Sequence, residues 1–155
     1  MSMSSSKRHM PIEETEVFLC FRSLANEVWH EVEGWSNYAQ WSVGKQLTGA
    51  LDSVGANLCE GDGRFSDADA LHFFVIARGS AREAKYWINA ANDRGLLTDE
   101  QRVRYLFEID RGLPMLNGLI NYRRETKNKG LVKEERAVYG EELNDLLTER
   151  LTPNA

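Results

Sequence analysis

The chain has 155 residues, of which 42% are hydrophobic and 28% are charged, and its formal net charge is −5. These values are typical of one globular domain and exclude disordered, collagen-like and membrane-spanning compositions. Cys20 and Cys59 form no CxxC motif, which argues against a disulfide scaffold and a zinc ribbon. We expect a cytoplasmic protein without membrane spans, which begins with a disordered leader over residues 1–11.

Apolar residues recur at steps of three and four in the first two predicted helices, as one buried helix face requires. Helix one is predicted over residues 12–32, with Glu13 and Glu14 in its first turn. Helix two is predicted over about residues 38–60. Gly61 and Gly63 follow it, and we expect them to supply turn conformations that other residues resist.

Capping signals delimit the next two predicted helices. Ser66 with Asp69 three residues later predicts the start of helix three, which should run for about 28 residues. Gly95 predicts its end, and Thr98 with Gln101 predicts a capping box for helix four. Helix four then carries an apolar stripe from residue 103 to residue 120.

Two features of the fourth helix concern its shape and its end. Pro114 lies within the stripe and predicts a kink near Asp110. A basic stretch ends at Gly130, and the weaker apolar pattern that follows predicts a fifth helix. The fold class is therefore all-α: an antiparallel up-and-down four-helix bundle over residues 12–127 with an additional C-terminal helical tail, residues 128–155.

Small and aromatic residues make further predictions about packing. We place Gly79 beside the buried seam of helix three, where a neighbouring backbone passes closely. The larger aromatic rings exceed what one narrow core needs: Phe18, Trp29, Trp35, Trp41, Phe73 and Trp87. Some of them should lie on outer faces, and exposed rings are typical of a subunit interface.

The stretch LTGALDSVGANLCEGDGRFS at residues 47–66, with HFFVIARGSAREAKYWINAANDRGLLTDEQ and MLNGLINYRRE after it, resembles a bacterial family. This family is the four-helix bundle protein encoded in 23S ribosomal RNA intervening sequences. The resemblance covers about residues 14–125, although Gly55 stands where the family usually has proline. The matching positions are Asn57, Glu60, Gly61, Arg64, Ser66, Phe74, Gly79, Ser80 and Glu83.

The resemblance implies a homo-oligomeric helical barrel, typically a homopentamer, and most family members have no known function. A related branch is the accessory protein of diversity-generating retroelements. That branch partners a reverse transcriptase and binds nucleic acid, so the resemblance also implies RNA or a reverse transcriptase as partners.

An enzymatic role has little support in the residues. Two acid-x-x-His units, Glu27 with His30 and Asp69 with His72, resemble half of a di-iron site in a helical bundle. However, His30 lies about 200° around the helix from the seam residue Val28, so it points away from the core. We expect no metal and no cofactor. No histidine is placed to activate a serine or cysteine, so we predict a non-enzyme.

Four polar residues lie near the predicted seam between helices two and three: Asn57, Glu60, Ser80 and Glu83. They form either a functional polar site or a hydrogen-bonded network that fixes helix register. We favour the structural network, because buried polar groups need hydrogen-bond partners.

Charge is distributed unevenly along the chain. Residues 1–77 hold 5 basic and 11 acidic side chains, whereas residues 78–136 hold 13 basic and 9 acidic ones. The candidate nucleic-acid-binding residues are Arg78, Arg82, Lys85, Arg123, Arg124, Lys127 and Lys129. Alternatively, these cations complement helix dipoles and pair with acidic helices. The leading hypothesis is an oligomeric adaptor that contacts nucleic acid; the alternatives are a scaffold that binds only proteins and, third, a bundle metalloenzyme.

Overall fold

The computed structural model describes residues 10–151, with the side chains of 10–134, 137 and 138. Most of the expected leader and residues 152–155 of the expected tail lie outside the described residues. Four long helices follow a short 3-10 helix, and no strand occurs among the described residues. The helices are α1, Glu16–Glu33; α2, which joins Asn37–Ala39, a π-helical turn at Gln40–Gly44 and Lys45–Asp62; α3, Asp67–Asp93; and α4, Asp99–Leu151.

The predicted caps around α3 and α4 are confirmed. The Ser66 hydroxyl accepts a hydrogen bond from the backbone N–H of Asp69 at 3.1 Å. Thr98 and Gln101 exchange backbone and side-chain hydrogen bonds of 2.9 and 3.2 Å. Gly95 has a φ of +71° and follows the end of α3, two residues after Asp93. Gly95 and the Thr98–Gln101 box delimit the α3–α4 turn, and Ser66 delimits the start of α3.

The predicted start of the first helix is wrong by four residues. Glu13 and Glu14 belong to the 3-10 helix Ile12–Glu14, and α1 begins at Glu16. Thr15 is the true N-cap, because its hydroxyl accepts a hydrogen bond from the backbone N–H of Phe18 at 3.4 Å. The π-helical turn in α2 was not predicted, since no proline or capping motif marks it.

The role predicted for Gly61 and Gly63 is also wrong. Among the described residues only Gly95 has a positive φ. Gly61 lies inside α2, where a Cβ would stand 2.6 Å from Cε1 of Phe74. The absence of a side chain therefore allows α2 and α3 to approach closely, and no special turn conformation is involved.

The four helices form a helical bundle around one apolar core. α1 packs against α2 and α4, and α3 packs against the same two helices. Burial of large apolar side chains from all four helices is the main favourable term in folding. The most completely buried large side chains are Phe21, Val28, Leu47, Leu51, Val54, Leu58, Phe74, Ile88, Tyr105, Ile109, Leu116 and Ile120.

Gly79 does not lie where the sequence analysis places it. A Cβ there would have no atom within 4 Å, and the residue is exposed. Ala77 and Ala81 take the inward positions of α3, and Gly79 lies about 200° around the helix from Ala77. Close approach occurs instead at Gly112, where a Cβ would meet the ring of Phe21 at 2.6 Å.

α4 is much longer than the sequence analysis predicts. Its 53 residues continue without a break through Gly130, so no separate fifth helix begins at Leu131. A glycine in a helix interior costs only about 1 kcal/mol relative to alanine, which is too little to end this helix. The last fully buried residue is Ile120. Pro114 lies inside α4 as expected, and its kink stays a prediction.

Candidate functional site

Three of the polar side chains between α2 and α3 form a linked hydrogen-bond network. The hydroxyl oxygens of Ser53 and Ser80 lie 2.9 Å apart. The amide of Asn57 donates to the backbone carbonyl of Ser53 at 2.8 Å and to its hydroxyl at 3.0 Å. Ser80 is only 8% exposed. The network therefore joins the two helices at a buried position, which suits a structural role.

The other two predicted members, Glu60 and Glu83, lie outside this network. Glu60 is exposed and forms an ion pair with Arg64 one turn later. Glu83 is exposed and accepts a hydrogen bond from the indole N–H of Trp87 at 3.3 Å. Ser53, which links Asn57 to Ser80, was missed, although its spacing of four from Asn57 places both on one helix face.

Two of the three candidate basic residues on α3 have partners on α4. The guanidinium of Arg78 donates to the side-chain oxygen of Asn117 at 3.3 Å. The ammonium of Lys85 lies 2.6 Å from a carboxylate oxygen of Asp110. Arg82 is exposed and has no ion-pair partner in the part of the chain that the structure describes. The three residues therefore do not form one free basic face.

Arg123 occupies the end of the bundle where α2 ends and α3 begins. Its guanidinium lies 2.9 Å from a carboxylate oxygen of Asp67 and 3.6 Å from one of Asp62. It also lies 5.9 Å from the ring centre of Phe74. The side chain is only 21% exposed. Arg123 thus connects α2, α3 and α4, and its charge is already paired within the chain.

The remaining basic candidates, Arg124, Lys127 and Lys129, lie on α4 beyond the last buried residue. All three are exposed. None has an ion-pair partner among the side chains described, residues 10–134, 137 and 138. Four residues of the predicted set, these three and Arg82, therefore have charges that are free to meet a partner.

The two acid-x-x-His units do not form a site. His30 is exposed and lies 3.0 Å from Glu33, one turn along α1. His72 is exposed on α3 and contacts the edge of the Phe73 ring. Across the described residues, no group of three or more His, Cys, Asp or Glu side chains is placed to hold a metal ion.

Neither cysteine lies in an activating environment. Burial raises the pKa of the Cys20 thiol; the Glu108 and Glu16 carboxylates raise it further, and Arg111 only partly opposes them. Burial, with the Glu13 carboxylate, also raises the pKa of Cys59. Both thiols are therefore protonated at neutral pH, whereas a nucleophilic cysteine needs a lowered pKa.

A depression between α1 and α2, here called the Trp groove, is lined by exposed indole rings. It has a volume of about 220 Å³, and its lining residues are Trp29, Val32, Glu33, Gln40, Trp41, Gly44, Lys45 and Thr48. Trp29 is 51% exposed and Trp41 is 76% exposed. The expectation of outward-facing rings therefore holds for these two, whereas Phe18 is buried and Trp35, Phe73 and Trp87 are half-buried.

The π-helical turn Gln40–Gly44 forms one wall of the Trp groove. Gly44 allows this wall to approach α1, because a Cβ there would lie 2.6 Å from Cγ1 of Val32. π-Helical turns are rare and are found frequently at functional sites. The aromatic residues were part of the sequence prediction, but their convergence on this turn was not.

A larger depression of about 530 Å³ lies between α1 and α4. Its walls carry ion pairs between Glu27 and Arg104 and between Glu108 and Arg111. The charged groups in this depression thus largely neutralise one another. The Glu27–Arg104 ion pair connects α1 with α4. The depression offers no two unpaired groups suited to acid–base chemistry.

Most of the chain matches the model of one protein family. The family model of the 23S rRNA-intervening sequence protein matches residues 13–118. The chain belongs to this family. No curated protein matches the chain. No helix among the described residues is long and apolar enough to cross a membrane.

A protein of known structure has a similar fold. It is a protein of unknown function from the S23 ribosomal protein family of Bacteroides thetaiotaomicron. The TM-score is 0.61 at 21% identity, and the match covers 67% of this chain and 97% of that chain. At this identity the likeness supports the fold alone. Both comparisons leave a substantial part of this chain unmatched, and the family match ends at residue 118.

Proposed function

We propose that this member of the 23S rRNA-intervening sequence protein family is a non-enzymatic scaffold that self-associates through the Trp groove. The observation that carries this proposal is the pair of exposed indole rings, Trp29 and Trp41, beside the π-helical turn of α2. Tryptophan is enriched at protein interfaces and among the residues that dominate binding energy. Five copies is the number implied by the family resemblance.

A closed ring forms by head-to-tail association, in which one face of each copy binds a different face of the next copy. Each copy therefore needs two different faces. A second apolar face is available on α4, where Val103 is 59% exposed and Phe107 is 63% exposed. Leu19 on α1, 48% exposed, lines the depression between α1 and α4. In the proposed ring, this face of one copy meets the Trp groove of the next.

The proposed arrangement of the bundle is antiparallel and up-and-down. Contacts between neighbouring helices support it, because residue numbers rise along one helix as they fall along the next. Ser53 meets Ser80, whereas Gly61 meets Phe74 further along. The same order holds for α3 and α4, where Lys85 meets Asp110 and Arg78 meets Asn117. This arrangement places the Trp groove and Arg123 at opposite ends of the bundle.

Removal of both indole rings tests the proposed interface. In the Trp29→Ala/Trp41→Ala variant, we expect a smaller assembly than in the wild type when molar mass is measured by light scattering on a sizing column. Phe65→Ala is the matched control, because Phe65 is fully exposed at the other end of α2 and should leave the mass unchanged. An unchanged mass in the double variant contradicts the interface.

Nucleic-acid binding is the second candidate function, favoured by the exposed charges of Arg124, Lys127 and Lys129. Reversal of all three to glutamate tests it and leaves the paired Arg123 intact. If the charges contact phosphates, the wild type binds structured RNA with an affinity that falls steeply with salt, and the variant loses binding. If the wild type does not bind RNA in a filter-binding assay at low salt, the nucleic-acid function is wrong. A scaffold that binds only proteins is then the remaining candidate.

A further inference from the structure

α4 extends far beyond the bundle that it helps to form. From Arg124 to Leu151 it adds about 28 residues, or roughly 42 Å of helix. Every described side chain from Arg124 to Glu134 is exposed. This C-terminal extension begins after the end of the family match at residue 118. Its role is therefore not given by the common fold of the family.

A single helix in water gains little from its own hydrogen bonds, and most helical stability in proteins comes from the packing of an apolar face. The C-terminal extension exposes Leu131 at 49%, Val132 at 48% and Val138 at 54%. These apolar residues have no partner among the described side chains of the chain. Another molecule that covers them would stabilise the extension.

Charge is segregated along the C-terminal extension. Residues 124–133 hold four basic residues and one acidic residue, whereas residues 134–151 hold six acidic and two basic residues. Two parallel copies would place like charges side by side, which is unfavourable. Two antiparallel copies place the basic part of each beside the acidic part of the other. The sequence of the extension is thus complementary to itself in the antiparallel direction.

The spacing of these residues is also symmetric. Arg124, Lys127 and Leu131 are followed by Val138, Glu142 and Asp145 at steps of 3, 4, 7, 4 and 3. Steps of three and four keep register positions on one face of a helix. In an antiparallel pair centred between residues 134 and 135, position 131 meets 138, 127 meets 142, and 124 meets 145. A two-fold axis makes each of these contacts occur twice.

We propose that the C-terminal extension of α4 is a docking helix for the same extension of a second copy, in antiparallel orientation. The contact lies at the opposite end of the bundle from the Trp groove and goes beyond the proposed function. Two scaffold assemblies would then be joined through their extensions. The occupant of the exposed apolar face is a second copy of this chain.

Charge reversal within the full chain tests the antiparallel pairing. One variant carries Arg124→Glu and Lys127→Glu, and the other carries Glu142→Lys and Asp145→Lys. Each variant alone should have half the molar mass of the wild type in sedimentation equilibrium, because like charges then face each other. A 1:1 mixture should regain the wild-type mass, because each extension then meets its complement. Arg22→Glu with Arg94→Glu, two exposed residues of the bundle, is the control and should keep the wild-type mass.

The outcomes separate this proposal from the proposed function. If the variants and the wild type have the same mass, above that of one chain, the bundle assembles and the extension contact is wrong. If the wild type is a dimer and the variants are monomers, the extension contact holds and the Trp groove interface is wrong. Loss of mass in both variants without recovery on mixing contradicts the antiparallel pairing.

Discussion

Two adjacent arginines on α4, Arg123 and Arg124, have opposite environments. Arg123 pairs with Asp67 and Asp62 and is 21% exposed, whereas Arg124 is exposed. Loss of one member of a partly buried ion pair removes an opposite charge from the remaining member, whereas loss of an exposed charge has little effect. The same basic stretch of sequence therefore contains a structural residue and a surface residue.

Alanine substitution distinguishes the two arginines. We expect Arg123→Ala to lower the free energy of unfolding by about 1–3 kcal/mol, below the range for a fully buried pair because solvent reaches this one. Arg124→Ala should change it by less than about 0.5 kcal/mol. Urea titration followed by circular dichroism measures both. Equal effects would show that the pairing of Arg123 contributes no stability.

Asp52 gives a test that depends on pH. Asp52 is exposed at the surface, and partial desolvation of its carboxyl raises its pKa above 3.8, so the folded state binds protons more tightly than the unfolded state. The free energy of unfolding therefore falls as pH rises through this pKa range. Asp52→Asn removes the desolvated charge, and we expect a higher Tm than that of the wild type at pH 7. At about pH 3 the gain should vanish, and a gain of the same size at both pH values contradicts desolvation as the cause.

Residues whose role depends on near neighbours could be predicted from the sequence. The caps at Ser66 and Thr98 join atoms three residues apart, so local spacing determines them. Ser53 could not be assigned, because its partner Ser80 is 27 positions away. Gly79 was misplaced because an apolar stripe defines a face only to within about one residue, and one residue turns a helix by 100°.

At the scale of the helices, two glycines in α4 have different surroundings: one is closely packed and the other is exposed. A Cβ at Gly112 would meet atoms of the buried Phe21 ring at 2.6 and 2.7 Å, whereas a Cβ at Gly118 would have no atom within 4 Å. Phe21 belongs to α1, so Gly112 determines how closely α1 and α4 pack. Both glycines lie in the same helix and differ in what surrounds them.

Alanine substitution at the two positions should have effects of opposite sign. Gly112→Ala should destabilise the fold by about 1–3 kcal/mol through overpacking. Gly118→Ala should stabilise it by up to about 1 kcal/mol, because alanine favours the helix and no contact opposes it. Thermal unfolding of both variants at one protein concentration provides the measurement. A more stable Gly112→Ala variant would mean that α1 can shift away without cost.

The helices themselves could be predicted because their apolar residues recur with the helical period over many turns. The π-helical turn Gln40–Gly44 could not, because it forms where α2 packs on α1 and no sequence signal marks it. The length of the fourth helix could not be predicted, because a glycine after a basic stretch commonly marks a helix end. Lysines and a leucine that favour helix flank Gly130, and α4 passes through.

At the scale of the whole molecule, packing explains why an uneven charge distribution in sequence does not become one basic surface. The acidic first half and the basic second half lie side by side in the bundle. Glu27 pairs with Arg104, Arg111 lies 3.6 Å from Glu16, and Arg123 pairs with Asp67. The sequence showed the imbalance, but only the three-dimensional arrangement shows which charges are neutralised.

The molar mass of the wild-type protein in solution tests the central claim most directly. Sedimentation equilibrium at micromolar concentrations should give a closed assembly that is a fixed multiple of the 17.7 kDa chain and does not change with loading concentration. With both proposed contacts, the wild type should contain about ten chains, and either charge-reversed variant about five. A single species of 17.7 kDa would contradict the scaffold and leave the exposed indole rings of the Trp groove without the partner that we propose.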